Sequence, residues 1–238
     1  MSKGEYNNFQ EVIDILHSNS INYLILRNYD NLLSPEMYQD GHGDVDILCE
    51  DSIKLADAIN ALNFIQKDGR IRDDKIHYYI KVNGKDVSID LRSVGDGYYC
   101  TKWQNDMLDR KIINNGFYVM EPVDHFYSLV YHAILQKRSL SDEYKTRLNG
   151  MYVELSGIGN SYMDENDFIS LLDKFMMDKG YVYTYPKDIL VPFRSSIVSK
   201  SLLQNNTKLR YAHLKFETKI KIIECLVNIK HLIERCFR

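Results

Sequence analysis

The chain has 238 residues, 45% hydrophobic and 26% charged, a globular balance with material for one large core or two small ones. A formal charge of -3 gives no bulk attraction to nucleic acid, and no stable nucleic-acid partner is expected. No apolar run approaches the roughly 20 residues that cross a bilayer, and no basic-then-apolar leader opens the sequence. The four cysteines (Cys49, Cys100, Cys225, Cys236) lack CxxC spacing, so the expectation is a cytoplasmic protein without a zinc site or disulfide framework.

The first half alternates helical and strand patterns. Phe9, Val12, Ile13, Ile15 and Leu16 recur at helical spacing within residues 5–20. A strand is expected over 21–28, then a polar loop to residue 43, and a second strand over 44–50. Residues 51–63 predict a helix with Asp51 or Ser52 as its N-cap. Residues 75–94 form the clearest hairpin, turned by Asn83-Gly84, and Asn115-Gly116 offers a second within 111–120. From Pro122, which suits a first helical turn, the pattern becomes helical over 122–138, 141–155 and 164–180. A Tyr/Pro-rich connector over 181–193 leads to a long amphipathic helix over 213–238. The expected division is a catalytic part, 1–121, and a helical part, 122–238.

Chemistry concentrates in the second strand and the hairpin. Alternation puts Asp44 and Asp46 on one face of their strand and Val45 and Ile47 on the other. A two-residue Asn-Gly loop pairs Val82 with Lys85, and counting outward sets Ile80 against Val87, Tyr79 against Ser88 and His77 against Asp90. Asp90 and Arg92 then share the polar face of an arm whose other face is Val87, Ile89 and Leu91. If the two strands are neighbours, Asp44, Asp46 and Asp90 converge. Three carboxylates can hold divalent cations, Mg²⁺ or Mn²⁺, which clamp the oxygens of a phosphoryl displacement, and the third can also draw the acceptor's proton.

These residues carry a resemblance. Gly43-Asp44-Val45-Asp46-Ile47-Leu48, followed by Ser88-Ile89-Asp90, resembles the nucleotidyltransferase superfamily of DNA polymerase β, over roughly residues 20–95. The resemblance implies an α+β fold, a nucleotidyltransferase-like mixed sheet with flanking helices followed by a helical part. The superfamily's usual Gly-Ser before the paired acids, which holds donor phosphates, is absent, and "LRNYDNL" stands at the end of the first strand. Arg27 or Asn28 could serve the phosphates, as could the Gly41-His42-Gly43 turn. Residues 121–144 are similar to a segment of nucleotidyltransferase-like proteins from bacterial surface-polysaccharide clusters, and distantly to LicD/fukutin-type phosphotransferases. That likeness implies a nucleotide or CDP-linked donor and a hydroxyl acceptor on a glycan. The longer LicD-type motif is missing.

Other residues have competing readings. His77 is either a substrate-binding group or a surface strand histidine, and Arg92 either binds phosphate or neutralises the acidic face. Arg27 either forks onto phosphate or pairs with Asp30 or Glu36 at the surface. His125, His132 and Lys137 are expected to pack or snorkel, with donor binding as the alternative. Tyr127, Leu129, Val130 and Ile134 are expected in the core, and Cys49 as a buried small hydrophobe. The basic C-terminal helix can lie on an anionic membrane, but packing with its basic face in water is the preferred reading. The leading function is a metal-dependent transferase acting at phosphorus. The rivals are a toxin-like nucleotidyltransferase modifying protein, tRNA or a small molecule, and an inactive nucleotide-binding module.

Overall fold

The computed structural model describes residues 4–27, 29–34, 44–64, 74–157 and 162–236, with the side chains of the last helix described to residue 227. The chain divides into two compact units, Met1–Asp96 with Thr101–His125, and Gly97–Cys100 with Phe126–Arg238. The class is α+β, a mixed sheet with helices followed by a helical unit.

In the first unit Asn8 decides where the first helix begins. Its extended backbone and side-chain oxygen, which accepts from the Glu11 N–H, cap α1 (Phe9–Ser18). Residues 5 and 6, expected within the helix, instead form β1 (Glu5–Tyr6), where the Tyr6 hydroxyl donates to the Ile59 carbonyl. β2 (Tyr23–Ile25) and β3 (Asp44–Cys49) follow as antiparallel neighbours. Asp51 is the cap of α2 (Ser52–Ala58), accepting from the Ile53 and Lys54 N–H groups. α2 ends five residues sooner than expected. Asn60 takes a left-handed conformation (φ 46°), which asparagine tolerates, and the chain re-enters the sheet as β4 (Leu62–Asn63).

β5 (His77–Val82) and β6 (Lys85–Ser93) are the expected hairpin, with Asn83 and Gly84 both at positive φ. Its register is the one counted from the turn: Val82 opposite Lys85, Ile80 opposite Val87, Tyr79 opposite Ser88 and His77 opposite Asp90. A helix not anticipated from the sequence, α3 (Thr101–Arg110), buries Trp103, Met107 and Leu108. The second Asn-Gly turns β7 (Ile112–Asn114) into β8 (Phe117–Val119). Among the described residues the strand order is β1-β5-β6-β3-β2-β8-β7, with β4 beside β5. β3 runs parallel to β6.

One face of this sheet carries the core. Tyr23, Ile25, Val45, Ile47, Cys49, Val87, Ile89 and Leu91 pack with Phe9, Val12, Ile13 and Leu16 of α1 and with Leu55 and Ala56 of α2. Cys49 is the expected buried hydrophobe. Burial pushes its thiol up to about 12, and its Sγ donates to the Arg92 carbonyl. A part-buried ion pair also lies in this unit. Asp124 accepts from Trp103 Nε1 (2.9 Å) and takes a bidentate fork from Arg110.

The second unit contains most of α4 (Pro122–Leu135), with α5 (Asp142–Ser156), α6 (Glu165–Lys179) and α7 (Thr207–Cys236). α4 begins at Pro122, as the sequence implied. Asp164 and Asp167 form a reciprocal capping box on α6, and Gly180 closes that helix in the left-handed region. Leu129, Val130 and Ile134 are buried, and half-buried Tyr127 stacks on Phe175 with centroids 3.8 Å apart. Buried His132 bonds the Tyr98 hydroxyl and Gln136, while Lys137 is exposed. A Cβ at Gly97 (φ 78°) would meet the Tyr185 carbonyl oxygen at 2.5 Å, so glycine is required there.

Candidate functional site

β3 and β6 are hydrogen-bonded neighbours, and their register decides what shares a face. Asp46 lies directly opposite Asp90, and Asp44 directly opposite Ser88. Paired residues on adjacent strands project to the same side, so all three acids lie on the face away from the main core. Leu24 and Leu48 are buried farther along that face, where α3 packs against β3. Asp44 is exposed, while Asp46 and Asp90 are half-buried.

Cations flank the acids. Arg27, 7% exposed, holds one oxygen of Asp46 with both Nη2 (2.9 Å) and Nε (3.3 Å). Arg27 thus pairs with Asp46, a partner that the sequence did not suggest. Glu36, one of its expected partners, lies outside the described residues. Arg92, also buried, puts Nη2 3.6 Å from Asp90 Oδ2, and His77 Nε2 approaches the same oxygen to 3.9 Å. Asn28, Gly41, His42 and Gly43 lie outside the described residues.

Electrostatics distinguish Asp90. Burial raises its carboxyl above the ordinary range, and Asp46 and Asp44 push the same way, while His77 and Arg92 oppose them. The approach of like charges that the sequence suggested is thus present at Asp90.

Sequence reasoning missed Asp74. Its Oδ1 accepts from the backbone N–H groups of Ile76 (3.0 Å) and His77 (2.9 Å), and its Oδ2 lies 2.7 Å from His77 Nδ1. Burial pulls its carboxyl up, but these bonds outweigh burial and hold it below the usual range. An ionised carboxylate only accepts, so Nδ1 of His77 carries the proton facing Asp74 and Nε2 faces Asp90. The available signal was an aspartate three residues before the histidine, entering a strand, which is an Asx-turn pattern. His125, by contrast, contacts the Tyr29 hydroxyl through Nδ1.

Among the described residues, no three His, Cys, Asp or Glu side chains stand together as a set that could hold a metal ion. Asp46 is turned to Arg27, and Asp90 lies between His77 and Arg92. The donor chemistry nevertheless fits a hard cation, since all three acids offer carboxylate oxygens and the backbone already sets Asp46 beside Asp90. Holding a cation requires Asp46 to share or leave Arg27.

No family model matches the chain, and no curated protein matches it. Among solved structures, the chain is similar to JHP933 from Helicobacter pylori, at 13% identity over 92% of this chain and 94% of that one, with a TM-score of 0.38. It is also similar to an antigenic nucleotidyltransferase-like protein from Paracoccidioides brasiliensis, at 13% identity over 83% of this chain and 99% of that one, with a TM-score of 0.37. At that level neither likeness assigns an activity. No helix among the described residues is long and apolar enough to cross a membrane.

Proposed function

We propose that the chain is a divalent-metal-dependent transferase that moves a nucleotidyl or phospho-linked group from a nucleotide or nucleotide-activated donor to a hydroxyl acceptor. The observation that carries this reading is the register of Asp46 with Asp90, with Asp44 on the same face. Asp44, Asp46 and Asp90 would hold Mg²⁺ or Mn²⁺, which supplies Lewis-acid polarisation of the phosphoryl group and neutralises its developing charge. Asp90, the third acid, would also draw the acceptor's proton. Arg27 and Arg92 offer guanidinium forks for non-bridging oxygens, and Asp74 orients His77 toward the same spot. A CDP-linked donor and a glycan hydroxyl belong to this proposal, as does assignment of the chemistry to the sheet-bearing part over 1–121.

A second reading rests on the Arg27–Asp46 pair. A guanidinium already neutralises Asp46, as a binding module without metal would require. Thermal shift with nucleotides, including CTP and CDP-linked compounds, separates the two. Metal catalysis predicts a melting temperature raised by nucleotide with Mn²⁺ together, and lost in Asp90→Asn. A rise with nucleotide in EDTA, unaltered by Mn²⁺, selects the binding module. No response to any nucleotide overturns both.

A further inference from the structure

The proposed chemistry leaves the C-terminal helix unused, although it carries several exposed apolar side chains. The inner side of α7 is docked. His213 is buried with Nε2 donating to the Pro186 carbonyl (2.7 Å), and Leu209, Phe216 and Ile220 are half-buried. The outer side carries its basic residues in water, as the sequence suggested, and exposed apolar side chains beside them. Tyr211 (68% exposed), Leu214 (58%), Ile222 (55%) and Leu226 (61%) stand in solvent. At about 100° per residue, Tyr211, Thr218 and Ile222 fall within about 20° of one line, with Leu214 and Leu226 about 60° to either side.

Charge is sorted about this stripe. On the same helical projection Lys208, Lys215 and Lys219 lie about 40–80° to one side and Lys221 and Arg210 about 80–100° to the other. All five are exposed. The acids of this stretch, Glu217 and Glu224, lie farther round, about 120–140° from the stripe. There they line the inner cavity, and Glu224 pairs with Arg138 (2.6 Å). Apolar side chains and cations share this face, Leu226 lying among the lysines and Ile223 (45%) and Val227 (47%) exposed farther round, while both acids are turned away; this matches a surface that is apolar beneath and negative at its rim.

We infer that this face of α7 docks on an anionic lipid surface. The helix lies in the interface plane, with Tyr211, Leu214, Ile222 and Leu226 in the headgroup–acyl boundary and the flanking lysines at the headgroups. A second copy is a poor occupant, because stripe-to-stripe packing would set lysine borders against lysine borders without an acid to pair them. The inference is independent of the acid site on β3 and β6.

Cosedimentation of the full chain with vesicles tests it, using phosphatidylcholine alone and phosphatidylcholine with about one third phosphatidylserine. The chain should partition onto the anionic vesicles only, and added salt should release it. Lys215→Glu with Lys219→Glu should weaken partition at least about tenfold. Leu214→Ser with Leu226→Ser should weaken it comparably without changing net charge. Both pairs are exposed, and circular dichroism with the melting temperature should match wild type. Absence of wild-type partition, or unchanged partition in the lysine variant, overturns the inference. So does a wild-type dimer in gel filtration that the leucine variant converts to monomer, which would make the face an interface between copies.

Discussion

Asp46→Asn is nearly isosteric and would be structurally silent if Asp46 were solvated. It is not, since its side chain is 13% exposed and takes two donors from a guanidinium that is itself buried. A charge-assisted bond contributes about 1.5–3 kcal/mol and a neutral one about 0.5–1.5, so exchanging carboxylate for an amide that still offers an oxygen costs about 1–2 kcal/mol. Repulsion between Asp46 and Asp90 is relieved at the same time, which moves the expected cost to about 1 kcal/mol, or about 2–4 °C in melting temperature for a chain of this size. The cation arm has the larger signal. At about one hundred times its dissociation constant, Mn²⁺ with nucleotide stabilises the native state by about 2.7 kcal/mol, or about 5–10 °C. Differential scanning fluorimetry in EDTA and then in Mn²⁺ with nucleotide reads both arms. Wild type should melt slightly higher in EDTA and rise further with Mn²⁺, while Asp46→Asn should start lower and stay there. Equal melting in EDTA and equal shifts with Mn²⁺ would refute both the buried pair's contribution and the ligand role of Asp46.

Other outcomes follow from neighbouring residues. Asp90→Asn should lower kcat about 10²–10⁴-fold for the nucleotide that the thermal screen selects, with donor affinity changed only several-fold; near-normal turnover removes Asp90 from the mechanism. Asp74→Ala should cost about 1–2 kcal/mol at pH 7 in chemical denaturation. Because the folded pKa of Asp74 lies below its unfolded value of about 3.9, that stabilisation is present above about pH 4 and is lost as pH falls through the folded value. Wild-type and Asp74→Ala stabilities should therefore converge in acid, and a constant gap down to about pH 2 would contradict the assignment. Asp124→Ala removes the acceptor that Trp103 Nε1 and Arg110 share, and should cost about 2–3 kcal/mol, less than the about 3–5 kcal/mol of a fully buried pair because the Arg110 side chain is 35% exposed and also approaches Asp106 and Glu121. A loss below about 0.5 kcal/mol in urea titration would show that Arg110 finds other acids without penalty.

The parts of the fold that were legible in the sequence are those decided by a few adjacent residues. Asn83-Gly84 imposes positive φ at two successive positions, and that geometry alone transmits register outward to His77 and Asp90. Pro122 and Asp51 act with similar locality at their helix starts. What escaped depended on distant partners. Residues 5 and 6 adjoin an amphipathic run, and only the free edge of β5 makes them a strand. α3 offers few apolar residues, and its buried Trp103, Met107 and Leu108 gain meaning only from the sheet face and Asp124 around them.

The candidate site divides along the same line. That Asp44, Asp46 and Asp90 share a face follows from period-two alternation and the hairpin count once β3 and β6 are neighbours. Their protonation and pairing do not follow, because these depend on which cations the tertiary fold brings near. Arg27 follows β2, and the acid it holds, Asp46, lies 19 residues on in the sequence. Asp74 offers only a local Asx-turn signal, and its hold on the His77 ring is set by the folded chain. Two features meet at this spot: burial and neighbouring acids that raise the carboxyl of Asp90, and His77 and Arg92, close enough to oppose them. Such a balance is what a site must have if it is to exchange internal cations for a metal and phosphates without unfolding. A site with acids alone would be destabilised when empty, and a site whose pairs were fully satisfied would gain little from a ligand. Arg27 is therefore the residue on which the two functional readings turn. If it shares Asp46 with a cation it becomes a phosphate ligand, and if it keeps Asp46 the face is a binding surface without metal chemistry.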